Sequence, residues 1–184
     1  MRKIIVSNFV SLDGFFEGAN KELDWHNADE EFHEYAIGQL NDVDAILFGR
    51  ITYQMMAAYW TTSHAAATDP VITGLMNSKN KIVLSGTLDK VDWNNSNLIK
   101  ENIAEEITKR KHQDGKDMII FGSGSIVSFF SPLGLIDEYR IIVNPVILGK
   151  GNLLFKGIHE RLKLKLIKTK TFNSGNVMLC YEHA

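Results

Sequence analysis

Cysteine is nearly missing from this sequence. Cys180 stands alone among 184 residues, so no internal disulfide can form, which suits a reducing cytoplasm. Its place in an alternating strand pattern marks it as a buried structural thiol. Long apolar runs are missing too. None approaches the roughly 18 residues that a membrane-spanning helix needs. The opening "MRKIIVSNFVSLDG" is basic and then apolar, but its apolar part is short and no small-residue cleavage site follows. It therefore reads as a first strand and not as a signal peptide. Neither sign of charge dominates, with 20 Lys and Arg against 22 Asp and Glu for a net charge of −2. The charges are spread along the chain. No basic stripe points to nucleic acid, and no acidic tail points to a solvating arm. The six histidines follow no metal-ligand pattern, although His26, Asp29 and His33 cluster around one helix start, and no metal is expected. No Gly-x-Ser-x-Gly elbow supports hydrolysis. Low-complexity linkers and internal repeats are also absent, so residues 1–184 are expected to form one domain. With 45% hydrophobic and 23% charged residues, the composition is that of a folded globule.

What is present is a regular alternation of two patterns. "KIIVSNFVS" (3–11) is rich in β-branched and aromatic residues and closes at Asp13-Gly14, a strand. "NADEEFHEYAIGQL" (27–40) predicts a helix capped by Asn27, with Glu30 at capping-box spacing and Phe32, Ala36 and Leu40 on one face. "DAILFG" (44–49), "KIVLSG" (81–86) and "DMIIFG" (117–122) are short buried strands. "RITYQMMAAYW" (50–60) reads as a helix, and "SIVSFF" (125–130) as a helix start. A second capping box, Asn102 with Glu105, opens a helix that carries the i,i+4 pairs Glu105–Lys109 and Glu106–Arg110 and stops near Gly115. "DEYRIIVNPVIL" (137–148) is a strand interrupted at Pro145, which marks an edge, a bulge or a strand end. "RLKLKL" (161–166) and "NVMLCYE" (176–182) flank Asn173-Ser-Gly175 as an antiparallel hairpin with one face in and one face out. This order implies an α/β fold: a mixed, mostly parallel central sheet, helices on both faces, and a C-terminal antiparallel hairpin.

Three strands end in the same way, at Gly49-Arg50, Ser85-Gly86, and Gly122-Ser123-Gly124-Ser125. In a parallel sheet these ends share one edge, where ligands of such sheets bind. Glycine lets backbone approach a ligand closely, and two of the ends start helices whose free N–H groups favour an anion. Arg50, Thr52 and the serine hydroxyls add donors. Each end alone is accounted for by a plain turn: Gly122-x-Gly124 lacks the third glycine of a dinucleotide fingerprint, and no Gly-Lys-Ser/Thr follows. The three together, with an arginine at one of them, point to a phosphate-bearing ligand.

"SLDG", "GRITYQMM", "KIVLSGTL", "IIFGSGSIV" and "DEYRIIVNPVILGKGNLLF", in that order, resemble the dihydrofolate-reductase-like superfamily. The likeness is strongest to the reductase domain of the bifunctional riboflavin-biosynthesis deaminase/reductase and to stand-alone proteins of that type, and it covers nearly the whole chain. The resemblance implies a three-layer fold, NADPH as cofactor and a homodimer. It also implies a cytoplasmic 5-amino-6-(5-phosphoribosylamino)uracil reductase-like enzyme that transfers hydride to a ribosylaminopyrimidine or a similar small heterocycle. Carried over by position, Gly49, Arg50 and Thr52 lie against the cofactor phosphates. Ser85 and Gly86 lie near the adenosine 2′-phosphate. Gly122, Ser123, Gly124, Ser125 and Ile126 hold the pyrophosphate. Ser11, Asp13 and Gly14 flank the nicotinamide and substrate. Where folate enzymes usually carry Gly-Gly, this chain has Gly122-Ser123, which points away from folate. The deaminase zinc motif is absent, so deamination is not expected.

Reduction also requires a proton nearby. Asp13, in "SLDG", and Asp29, early in the first helix, are the two candidates. An Asp-Gly turn and a helix first turn explain both equally well without chemistry. Met55, Met56, Tyr59 and Trp60 recur at helical spacing as core or dimer contacts. Two other functions stay open: dihydrofolate reduction, and a nucleotide-binding module without turnover.

Overall fold

Ile4, Val6 and Val10 are buried on one side of the first strand and Ile5 on the other. Burial on both sides is what a strand inside a parallel sheet requires. The computed structural model describes residues 1–184. Its strands are β1 (Ile4–Val10), β2 (Phe15–Glu17), β3 (Val43–Gly49), β4 (Asn80–Leu84), β5 (Ser96–Ile99), β6 (Asp117–Phe121), β7 (Glu138–Val143), β8 (Asn152–Leu153), β9 (Leu164–Thr171) and β10 (Val177–His183). Its helices are α1 (Glu30–Asp42), α2 (Arg50–Trp60), α3 (Ser63–Thr68), α4 (Pro70–Ser78), α5 (Ile103–Lys111) and α6 (Gly124–Phe130).

Eight strands form one sheet in the order β5-β4-β3-β6-β1-β7-β10-β9. The six strands from β5 to β7 run parallel to their neighbours, and β10 and β9 close the sheet antiparallel. Helices cover both faces. Ile107 of α5 and Val127 and Phe130 of α6 pack on one side with Val6, Leu47 and Ile120. Leu40 of α1, Tyr53 of α2 and Met76 of α4 pack on the other with Ile46, Phe48 and Ile119. The chain adds strands outward from β3 to β5, and then returns to insert β6 between β3 and β1. That reversal leaves a crevice over the carboxyl ends of β3, β6 and β1.

Several local expectations are corrected. The cap of α1 is Asp29, whose carboxylate accepts from the Phe32 amide at 2.9 Å. Asn27 instead ties down the loop before the helix, its amide donating to Asn144 Oδ1 and its Nδ2 to the Ser174 carbonyl. Asn102 precedes α5 in the left-handed region, at φ 50°, and makes no capping bond from its side chain. Lys109 takes both Glu105 and Glu106, at 2.9 and 3.1 Å, in place of a Glu106–Arg110 pair. The helix stops at Lys111, earlier than Gly115 suggests. Pro145 lies just past the end of β7. The first strand of the hairpin begins at Leu164, and its side chains are exposed on both faces except for the half-buried Lys170, because it is the outer edge and no helix covers it. Alternation in "RLKLKL" therefore does not report a buried face. Three short strands (β2, β5, β8) and the six-residue α3 carry too little periodic pattern to be found from sequence, whereas α4 does carry a start signal, Asp69 as its cap followed by Pro70.

Candidate active site

Gly49 ends β3 and caps α2 without any side-chain bond, so the first-turn amides of this eleven-residue helix stay open toward the crevice. A Cβ at Gly49 would stand 3.3 Å from both Ser125 Oγ and Ile126 Cγ1, which brings the β3 and β6 loops into close contact. Two hydroxyls lock that contact. The Gly49 amide donates to Ser123 Oγ at 3.0 Å, and the Ser123 amide donates to Thr52 Oγ1 at 3.0 Å. Gly122 and Ser123 both take left-handed backbone, at φ 61° and 53°. Asn8 on β1 clamps the Gly122 peptide at both ends, accepting from its amide at 2.6 Å and donating to its carbonyl at 3.0 Å. The turn at 122–125 is thus fixed by side chains from β1 and α2.

The cleft over these loops measures about 610 Å³. Gly49, Arg50, Thr52, Ser123, Gly124 and Ser125 line it, so the structure brings together most of the residues expected there. Ile126 is buried beneath the cleft in the core. Ser85 and Gly86 do not line it. The Ser85 hydroxyl is spent on a local turn, accepting from the Thr87 and Leu88 amides at 3.2 and 3.1 Å. That turn shapes a neighbouring depression of about 790 Å³, which continues past Arg50 over Thr87, Leu88 and Lys90. Three cations, Arg50, Lys21 and Lys156, line the main cleft, and sequence reading found only the first. Lys21 and Lys156 sit in irregular loops with no motif around them.

A second cavity of about 290 Å³ adjoins the cleft and shares Phe16, Glu17 and Thr52 with it. Its walls are mainly apolar: Phe9, Phe32, Leu40, Met56, Trp60 and Met76 are among them. Met55, Met56 and Trp60, expected as core or dimer contacts, thus line a pocket. His26 lies in the wall, stacked on Phe9 at 4.6 Å between ring centroids. Desolvation lowers its pKa to about 4, against a hydrogen bond to the Phe16 backbone that favours the charged form. The imidazole is therefore neutral at pH 7.

Neither expected proton donor lines either cavity. Asp13 is exposed and accepts from the Leu148 and Gly149 amides at 3.1 and 2.8 Å, clamping "SLDG" to "ILGKG". Its pKa is lowered, chiefly by the Ser11 hydroxyl; desolvation acts the other way, and the two amides add to the lowering. Ser11 is buried beneath that turn and accepts from the Phe15 amide at 3.0 Å, while Gly14 turns the chain at φ 88°. Asp29 spends one oxygen on its helix cap and the other on the Ser174 amide at 2.7 Å. The one carboxylate that lines both cavities is Glu17 on β2, steadied by Asn152 Nδ2 at 2.8 Å. Gly151 makes that placement possible, since a Cβ there would come within 2.5 Å of the Glu17 carbonyl. Sequence reading missed Glu17 because β2 is only three residues long.

A mostly parallel sheet with a glycine-lined cleft at its carboxyl edge and an antiparallel closing hairpin is a dihydrofolate-reductase-like fold. Within that class, the chain belongs to the RibD C-terminal domain family, which it matches over residues 2–178. The uncharacterized protein YyaP of Bacillus subtilis (strain 168) is 38% identical over 182 residues, covering 98% of this chain and 94% of the relative. A diaminohydroxyphosphoribosylaminopyrimidine deaminase/5-amino-6-(5-phosphoribosylamino)uracil reductase from Thermotoga maritima superposes with a TM-score of 0.72 at 15% identity, over 100% of this chain and 57% of that one. A dihydrofolate reductase from Enterococcus faecalis, complexed with NADP(H) and RAB-propyl, superposes with a TM-score of 0.66 at 13% identity, over 98% and 96%. At those identities the two structures share the fold with this chain. No helix is long and apolar enough to cross a membrane.

Proposed function

We propose that residues 1–184 act as one NADPH-dependent reductase domain of the riboflavin-biosynthesis type, reducing a C=N or C=O bond of a small heterocycle. The observation that carries this reading is the pairing of two cavities: a cationic, glycine-lined cleft opens onto a mainly apolar pocket. The cleft fits a dinucleotide phosphate chain. Open first-turn amides of α2, the close approach at Gly49 and the left-handed turn at Gly122-Ser123 form the cradle, and Arg50, Lys21 and Lys156 supply charge. The depression beyond Arg50 gives room for the adenosine end; Lys90 there is paired with Asp92 at 3.1 Å and Asp89 lines it too, so Arg50 is the cation left for a 2′-phosphate. NADPH, when bound, supplies the hydride.

The chain's own residues do the rest. The apolar wall excludes water from the reacting bond and holds a flat ring in place. Glu17, at the junction of the two cavities, is placed to relay a proton from the open cleft to the reduced atom, taking it up from solvent before passing it on. Asp13 and Asp29 enter the mechanism as clamps that set the loops around the site, their oxygens being occupied by backbone amides. A homodimer in the cytoplasm completes the reading, and sedimentation of the purified chain tests the assembly.

The experiment is thermal unfolding with titrated cofactor. Binding to the folded state raises the melting temperature by mass action, equivalent to about 2.7 kcal/mol at a hundred times Kd. NADPH is expected to shift the transition more than NADH does. Absence of a shift with either nucleotide sinks the reading. Oxidation of NADPH followed at 340 nm then separates a reductase from a binding module that has no turnover.

A further inference from the structure

The pocket beside the cofactor cleft contains neither lysine nor arginine among its twenty lining residues. From this, and resting on the reductase reading above, we infer that the substrate is an uncharged, unphosphorylated flat heterocycle.

Charge argues first. Glu17 is the one formally charged side chain in the wall, and it would repel a phosphate. His26 offers no cation at neutral pH, because its ring is desolvated against Phe9 and Trp25. Arg140 lies behind Gln39 and is already committed, to Glu138 at 2.7 Å and to Gln39 at 3.3 Å. Lys21, Arg50 and Lys156 are gathered in the adjoining cleft, where the cofactor phosphates require them. A phosphate carried into the pocket would be stripped of water and left without a partner, which is strongly unfavourable.

Hydrogen bonding argues second. Most polar side chains of the wall already have partners. Asn8 holds both ends of the Gly122 peptide, Thr52 Oγ1 accepts from the Ser123 amide, and Gln39 accepts from Arg140. What remains is the carboxylate of Glu17, the Ser7 hydroxyl and the Gln39 side-chain amide, none of them a cation. His26 Nε2 is buried without a partner. The residual polar chemistry thus offers one carboxylate and neutral groups to a ring otherwise held by apolar contacts. Phe9, Phe16, Phe32, Trp60, Met55 and Met56 give that ring aromatic and thioether contacts. The Thermotoga maritima protein named above, by its name, acts on a phosphoribosylamino compound. This chain is inferred to have departed from that substrate while keeping the fold.

Two matched pairs test the inference, each differing in one anionic part. One pair is 5-amino-6-(ribosylamino)uracil and its 5′-phosphate, and the other is 7,8-dihydropterin and its 6-carboxylate. Binding of each to the protein saturated with oxidised cofactor is measured by calorimetry. The neutral member of at least one pair is expected to bind about tenfold or more tightly than its anionic partner. Met56→Lys, which places a cation in the wall, is expected to narrow or reverse that ratio. Equal or tighter binding of both anionic members overturns the inference, and so does failure of both neutral members to bind. A cofactor that gives no thermal shift sinks the reductase reading separately. Repeating the four titrations without cofactor then still decides the substrate class.

Discussion

Ser123 joins the loops that follow β3 and β6, and its replacement isolates two opposed effects. Its side chain is buried, with a relative exposure of 4%, and it accepts from the Gly49 amide at 3.0 Å. Ser123→Ala leaves that amide without an acceptor in a buried setting, which costs about 1–3 kcal/mol. It also keeps a side chain in the left-handed region, at φ 53°. Ser123→Gly loses the same hydrogen bond but relieves the backbone, by about 1 kcal/mol after allowing for the freer unfolded chain. In a domain of this size, 1 kcal/mol corresponds to roughly 2–4 °C in Tm. The alanine variant is therefore expected to melt about 4–8 °C below the parent, for a loss of about 2 kcal/mol. The glycine variant should fall roughly half as far. Thermal unfolding by circular dichroism measures both, and calorimetric titration of NADPH should show weakened binding in the same rank order. The cleft argument fails if both variants melt with the parent, or if glycine is the worse of the two.

Arg50→Ala removes a charged donor from the cleft, and is expected to weaken NADPH by about tenfold, the equivalent of one exposed charge-assisted hydrogen bond. A smaller loss for NADH assigns Arg50 to the 2′-phosphate, whereas equal losses assign it to the pyrophosphate. Glu17→Gln should lower kcat by about a hundredfold or more, as for a missing proton donor, with cofactor affinity little changed in fluorescence titration. An unchanged kcat returns the proton to ordered water. His26 makes a signed pH prediction. Its pKa is about 4 in the folded chain, against about 6.5 unfolded, so the folded state binds fewer protons between those values. Stability from this group is complete above about pH 6.5, falls as the pH drops toward 4, and levels off below, for a total of at most about 3 kcal/mol. Urea midpoints from pH 7.5 to 4 should fall less steeply in His26→Phe than in the parent. Parallel slopes contradict the desolvation of His26.

The sequence made the parallel core legible because each of its strands is a short apolar run closed by glycine or by a polar turn. Gly49 and Gly122 could be placed on one edge before any coordinates, since parallel strands share their carboxyl ends. What escaped was whatever depends on contacts distant in the chain. Glu17 becomes a site residue only because β2 pairs with β8 across some 135 positions, through a ladder of two or three residues. Asp13 and Asp29 looked free because nothing local shows that the amides of Gly149 and Ser174 will reach them. In sequence Ser123 is only a departure from glycine, whereas in the fold its hydroxyl joins two loops 74 positions apart. The methionine and tryptophan positions of α2 were legible as apolar, but periodicity does not distinguish a core wall from a pocket wall.

The outer strand β9 bears on how the molecule keeps to itself. It ends the sheet with unpaired backbone groups on its free side, and Leu164, Leu166 and Ile167 stand exposed along it. Such an edge is a template for strand addition and fibril growth. Lys165, Lys168 and Lys170 are interspersed through the same eight residues. Lys165 and Lys170 pair with Glu182 and Glu31, at 3.5 and 3.0 Å, and Lys168 has no carboxylate partner. A second copy of the strand must therefore bring its Lys168 against this one. Runaway stacking is held off by a repulsion that weakens as salt shortens the screening length. The folded protein should consequently be most prone to self-association at high ionic strength, although its net charge is close to zero.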